Sequence, residues 1–205
     1  MNKTKNKFRI ESDSMGKVKI PKNAMYGPQT QRAIDNFKIS NLVMPKDFII
    51  SLLDLKIAAA KANLKLKLIE KKKTDAIVRS AEYLIKNFDQ KNFPIDIFQT
   101  GSGTSTNMNV NEVIANTSKK VFKIKIHPND DVNMSQSSND VIPSAINHSA
   151  YKNLIIKLIP ALEDLSKEIN SKSKKVKNIV KTGRTHLMDA MPITFDQELS
   201  SWKSQ

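Results

Sequence analysis

Thr100 to Asn107 reads Thr-Gly-Ser-Gly-Thr-Ser-Thr-Asn. Two glycines in such a run let successive backbone N–H groups turn towards one point. Ser102, Thr104, Ser105 and Thr106 add hydroxyl donors. A helical pattern carrying Val110, Val113 and Ile114 follows, so the partial positive charge of a helix N-terminus adds to them. The chemistry this suits is the binding of a carboxylate or phosphate. No Gly-Lys-Ser/Thr follows, which excludes a P-loop, and the third glycine of the dinucleotide fingerprint is missing. A plain helix-capping loop would use the same residue types.

Two further polar stretches carry chemistry. In His-Pro-Asn-Asp-Asp-Val-Asn-Met-Ser-Gln-Ser-Ser-Asn-Asp, the candidates are His127, Asn129 and Asp130, then Ser137, Ser138 and Asn139. Histidines and carboxylates at ligand spacing are too few for a metal site. The second half again sets hydroxyls and an amide before a helix, where plain N-capping competes with ligand binding. In Gly-Arg-Thr-His-Leu-Met-Asp, His186 is of a residue type suited to proton transfer, and Arg184 and Thr185 are suited to holding a carboxylate. This stretch reads as a loop between helices. His148, inside a helical pattern, reads as a packed or surface histidine.

These residues need elements to position them. Residues 1–27 read as irregular, with a short strand pair around Ser14–Pro21. Pro28 opens a helix through Phe37, since proline suits the first helical position. Pro45 opens a longer one with Ile49, Leu52, Leu53, Ile57 and Ala60 at helical spacing. A third covers Lys71 to Asn87. Asp140 to about Lys174 reads as one long helix, with Pro143 in its first turn and a kink at Pro160. Its apolar residues Ile155, Leu158, Leu162, Leu165 and Ile169, with Ile142, Ile146, Ile156 and Ile159 beside them, form an arc wide enough for a bundle. Thr194 caps a further helix, with Gln197 three residues on as its capping-box partner. The fold class is therefore mainly α with a short β element. The length suffices for one domain of ordinary size or one and a half.

Composition narrows the classes. The 205 residues are 39% hydrophobic and 26% charged, which permits a core. The net charge of +14 invites a nucleic-acid reading, but the only arginines are Arg9, Arg32, Arg79 and Arg184, and groove readers favour the guanidinium fork. The lysines read as a solvated basic surface. No run of eighteen apolar residues is present, so no membrane span is expected, and the basic start lacks the apolar core of a secretory signal. The absence of cysteine fits a reducing cytoplasm.

Taken together, Asp13–Pro21, Tyr26–Arg32, Thr100–Asn116, His127–Val141 and Gly183–Thr194 resemble the class II fumarases of the fumarase/aspartase superfamily, in family order across essentially the whole chain. The resemblance implies reversible hydration of fumarate to (S)-malate, without metal or organic cofactor, in a homotetramer built around a helical bundle, with residues 1–138 as the N-terminal lyase domain and 139–205 as the beginning of the bundle domain. It implies that Ser102, Thr104, Asn107, Ser137, Ser138, Asn139 and Thr185 bind substrate. His186 would activate or position the water, and His127, Asn129 and Asp130 would form a second dicarboxylate site. Aspartase is the nearest competitor, but it typically has Gln in place of His186 and Gly-Ala-Gly-Thr in place of Gly-Ser-Gly-Thr. A catalytically dead interaction module is the reading from another class.

The sequence departs from the family in four respects. The family's base is a Ser on a loop with a Gly-Ser-Ser…Met-Pro…Lys…Asn-Pro signature, which nothing in these 205 residues matches, so the chain reads as an N-terminal portion, inactive alone. Ile124 stands where fumarases often have Arg, with Lys123 and Lys125 as possible substitutes. Asp196 stands where the family usually has Gly, and Met188 where it usually has Gln.

Overall fold

A computed structural model describes residues 7–205 of the chain. The first six residues, and with them most of the basic start, lie outside the described part. The chain forms two compact units, one up to Ser149 and one from Ala150.

The first unit opens with an antiparallel hairpin, β1 (Phe8–Asp13) and β2 (Gly16–Pro21), paired Phe8 to Pro21 and Asp13 to Gly16. This is the strand pair expected around Ser14–Pro21, extended towards the N-terminus. Helices α1 (Pro28–Asn36), α2 (Lys46–Lys65), α3 (Lys71–Lys86) and α4 (Thr104–Thr117) follow. Pro28 and Pro45 begin their helices as the sequence predicts. The core joins Ile49, Leu52 and Leu53 of α2, Ile77, Ala81 and Leu84 of α3, and Val110, Val113 and Ile114 of α4. Burial of these apolar faces is the main driving force of the unit.

One long-range contact ties the first helix to that core. The Glu112 carboxylate of α4 accepts from the backbone N–H groups of Gly27, Gln29 and Thr30 at 2.9–3.0 Å, and from the Thr30 hydroxyl at 2.6 Å. A side chain from another helix thus satisfies the donors that the start of α1 leaves open. Burial pushes the Glu112 carboxyl up, while the four hydrogen bonds pull it down. A Cβ at Gly27 would lie 2.7 Å from Glu112 Oε1, so a larger residue there would push the carboxylate off these donors.

Helix α5 (Ser138–Asn153) runs from the first unit into the second. A π-helical turn, Leu154–Leu158, joins it to α6 (Ile159–Lys175). The sequence predicts one long helix with a kink at Pro160. The irregularity takes the form of a widened turn just before that proline, whose ring and missing N–H disturb the preceding turn.

In the second unit, β3 (Val180–Thr185) and β4 (Met188–Thr194) form an antiparallel hairpin, with a register shift around Gly183, ahead of α7 (Phe195–Ser204). This corrects the expected loop. The Arg-Thr-His stretch is the end of a strand and the start of a tight turn. Thr194 caps α7 as expected, its N–H donating to Gln197 Oε1 at 2.9 Å.

Replacing Glu112 with Ala would leave three helix-start N–H groups and a hydroxyl without their acceptor. We expect a loss of about 3 kcal/mol in unfolding free energy, measured by urea denaturation.

Candidate functional site

The Gly-Ser-Gly-Thr loop lies at the N-terminus of α4. Gly103 is its N-cap at φ 68°, a left-handed conformation, and a Cβ there would stand 3.0 Å from the Ile142 side chain. Only glycine meets both conditions cheaply. Ser102 Oγ and Thr104 Oγ1 lie 2.9 Å apart on the exposed lip of this helix start. Thr106 is spent otherwise. Its N–H donates to Gln99 Oε1 at 2.9 Å and its hydroxyl lies 2.7 Å from Gln99 Nε2, so it serves the cap.

The second helix start is that of α5. Ser137 O accepts from Asp140 and Val141 N–H, and Ser137 Oγ accepts from Asn139 N–H at 3.3 Å, so Ser137 is partly a capping residue. Ser138 is half-buried and Asn139 is exposed. Asn107 Nδ2 donates to Ser138 Oγ at 3.0 Å. That bond brings the starts of α4 and α5 together, with their aligned peptide dipoles and hydroxyls. Such a junction suits an anion.

Sequence reasoning missed what lies behind it. Lys56 of α2 is fully buried. Its ammonium donates to Asn133 Oδ1 at 3.0 Å and to Gln136 Oε1 at 2.9 Å. Asn133 Oδ1 also accepts from Asn107 Nδ2 at 3.1 Å and Asn111 Nδ2 at 3.2 Å. Burial alone lowers the Lys56 pKa to about 7. The signal was available: Lys56 falls four residues after Leu52 and four before Ala60, in the buried stripe of α2.

His127, Asn129 and Asp130 come together in a π-helical turn at residues 128–132. His127 Nδ1 accepts from Asp130 N–H at 3.0 Å and lies 3.2 Å from Asp130 Oδ2. Asn129 Nδ2 lies 3.4 Å from Asp130 Oδ1. All three are exposed. His127 lines a cavity of about 320 Å³ with Lys119, Lys125, Asn116 and Glu11. Ile124 packs against the core and offers no charge. Of its neighbours, Lys125 lines the cavity, whereas Lys123 Nζ donates to Lys120 O at 2.9 Å.

In the second unit, Thr185 and His186 are exposed at the end of the β3–β4 hairpin. His186 and Leu187 are the two turn residues, at φ 51° and 62°, the signs a two-residue hairpin turn requires. Arg184 Nε pairs with Asp189 Oδ1 at 3.1 Å across the hairpin. Lys181 Nζ is held by both Glu198 oxygens at 2.8 Å. Asp196 sits in the first turn of α7 with one buried oxygen that no protein group meets. Met188 is exposed at the start of β4.

The family described as Lyase matches residues 16–205. The chain is 51% identical over 199 residues to the class II fumarate hydratase of Xylella fastidiosa strain 9a5c, covering 97% of this chain and 42% of that protein. It is 51% identical to the class II fumarate hydratase of Wigglesworthia glossinidia brevipalpis, covering 95% of this chain and 43% of that one. The crystal structure of class II fumarase from Schistosoma mansoni superposes with a TM-score of 0.88 at 40% identity, covering 96% of this chain and 43% of that chain. The chain thus spans less than half the length of these relatives.

The buried ammonium gives the fold a pH signature. Between about 7 and 10.5 the unfolded chain holds a proton on Lys56 that the folded chain does not. Stability therefore rises with pH across that window, by at most about 1.4 kcal/mol per pH unit from this group. Urea denaturation at several pH values should show the rise in the native sequence and its loss in Lys56→Met.

Proposed function

This chain belongs to the lyase family of the fumarase/aspartase superfamily, matching its class II fumarases, and we propose that it supplies part of the site of a fumarate hydratase. The reaction is the reversible addition of water to fumarate, giving (S)-malate, without a metal or organic cofactor. The observation that carries this reading is the junction of two helix starts through Asn107 and Ser138.

Removing a proton beside a carboxylate builds a doubly charged aci-carboxylate. Fixed donors aimed at that charge stabilise it without reorganising. Ser102, Thr104 and Asn107 at α4, with Ser137, Ser138 and Asn139 at α5, would bind the substrate carboxylates. Thr185 would hold a carboxylate and His186 would position or activate the water. His127, Asn129 and Asp130, with Lys125 beside the same cavity, would form a second dicarboxylate site. Residues 1–138 would act as the N-terminal lyase domain and 139–205 as the beginning of the bundle domain.

Two features support assembly with other polypeptide. Ile155, Leu158, Leu162 and Leu165 are 44–56% exposed along the π turn and α6, an apolar face this unit leaves bare. The base-bearing Ser signature has no match in these residues. A homotetrameric bundle would cover the first, and the second would come from polypeptide other than these 205 residues. No described helix is long and apolar enough to cross a membrane. With no cysteine in the chain, we place the protein in the cytoplasm.

Loss of fumarate absorbance tests the reading. The purified 205-residue chain should show no turnover alone, and turnover should appear when a polypeptide carrying the Ser signature is added. Clear hydration by the isolated chain would overturn the shared-site reading. A well-folded mixture that stayed inactive would overturn the fumarase reading, and ammonia release from aspartate would replace it with the aspartase one.

A further inference from the structure

We propose that Lys56 is a positioning residue that fixes the donor–acceptor polarity of the Asn107–Ser138 junction through Asn133. The proposal rests on that junction being the ligand site.

The argument begins with valence. Below about pH 7 Lys56 is an ammonium, with three hydrogens to donate and no acceptor. Asn133 and Gln136 must therefore turn their oxygens to Lys56. Once Asn133 Oδ1 is committed, Asn107 and Asn111 must approach it with their Nδ2 groups. The other ends agree. Asn133 Nδ2 donates to Gln136 O at 3.2 Å, and Gln136 Nε2 donates to Val132 O at 2.9 Å. No amide in the chain of contacts can flip without setting donor against donor or acceptor against acceptor.

The polarity then reaches the site. Asn107 Nδ2 donates to Ser138 Oγ, so Ser138 accepts there and keeps its own hydroxyl hydrogen to donate. A hydroxyl that donates outward suits a carboxylate, which when ionised has no hydrogen to donate in return. Asn107 Oδ1 is turned inward, buried and without a protein partner. The junction thus presents the Ser138 hydroxyl as a donor, in an order set by a cation on another helix.

Packing alone gives no reason for a lysine here. A buried ammonium without an ion pair is expensive, and Leu or Met would fill the space at lower cost. Among the described residues no carboxylate lies within ion-pair distance of Lys56, and only neutral amides receive it.

The test uses side-chain amide NMR on the ligand-free 205-residue chain below about pH 7, where Lys56 is an ammonium, so it does not depend on turnover. In Lys56→Met, the Asn107, Asn111 and Asn133 side-chain amide cross-peaks and the Ser138 backbone cross-peak should shift, while those of α3 and the first hairpin hold. In Lys56→Gln, whose amide can present either end, the Asn107 side-chain amide should split or broaden between two orientations. An Asn107 amide that stays in place in folded Lys56→Met overturns the proposal, as does a shift spread evenly over the chain. Should Lys56→Met not fold, Asn133→Ala reads the same link from the other end. There the Asn107 cross-peak should move and the Lys56 ammonium protons should lose exchange protection, and an unmoved Asn107 overturns the proposal. Either failure leaves the fumarate hydratase reading standing, because that reading fails only in the turnover experiment.

Discussion

One oxygen carries much of the first unit's polar interior. Asn133 Oδ1 accepts from Lys56, Asn107 and Asn111, three donors from two helices. An amide oxygen has two lone-pair directions, so three donors crowd it, and each constrains the others. Behind this point lies the apolar core of α2, α3 and α4. In front lie Ser138 and the start of α5. The loop at 133–137 is held to α2 by this contact and by Asn63, whose Nδ2 donates to Met134 O at 3.0 Å. A site built from two loops is only as well placed as the contacts between them. Here those contacts are buried and short, and they are anchored on a helix rather than on another loop.

Glu112 shows the same economy at the opposite end of the interior. Its carboxylate closes the start of α1, and the approach requires glycine at position 27. Two buried ionisable residues, Glu112 and, below about pH 7, the Lys56 ammonium, thus each satisfy groups that no backbone ladder reaches. Neither is neutralised by an opposite charge within hydrogen-bond reach. Hydrogen bonding to neutral dipoles replaces ion pairing in both places, which makes the geometry of those dipoles stringent.

The helices were legible because their signals are local. Pro28 and Pro45 at helix starts, the spacing of Ile49, Leu52 and Leu53, and the Thr194–Gln197 box all depend on neighbours in sequence. The placement of the candidate residues was legible in their types: Ser102, Thr104, Asn107 and Ser138 lie at the starts of α4 and α5. What stayed hidden is long-range or conformational. Lys56 looked like one of many surface lysines because its partners, Asn133 and Gln136, lie nearly eighty residues away. Thr106 looked available but is consumed by Gln99. The second hairpin was hidden because its turn is His186-Leu187. Turns with two positive φ values usually advertise themselves with Asn or Gly, and β-strand propensity in Val180–Thr185 is broken by Gly183.

That turn bears on how the second unit came by its sequence. Leu187 is 96% exposed and sits at φ 62°, a combination that costs roughly 1–2 kcal/mol of backbone strain and returns no burial in this chain. The hairpin register holds it, with Thr185 opposite Met188. A glycine would relieve the strain, and a polar residue would suit the solvent. The apolar face of α6 presents the same mismatch between residue type and surroundings. Both are explained at once if these surfaces are covered by further polypeptide, as the proposed assembly requires. Under that reading the strain at Leu187 fixes the direction of the strand ends. It thereby fixes where Thr185 and His186 are delivered, and the burial that offsets it comes from the partner.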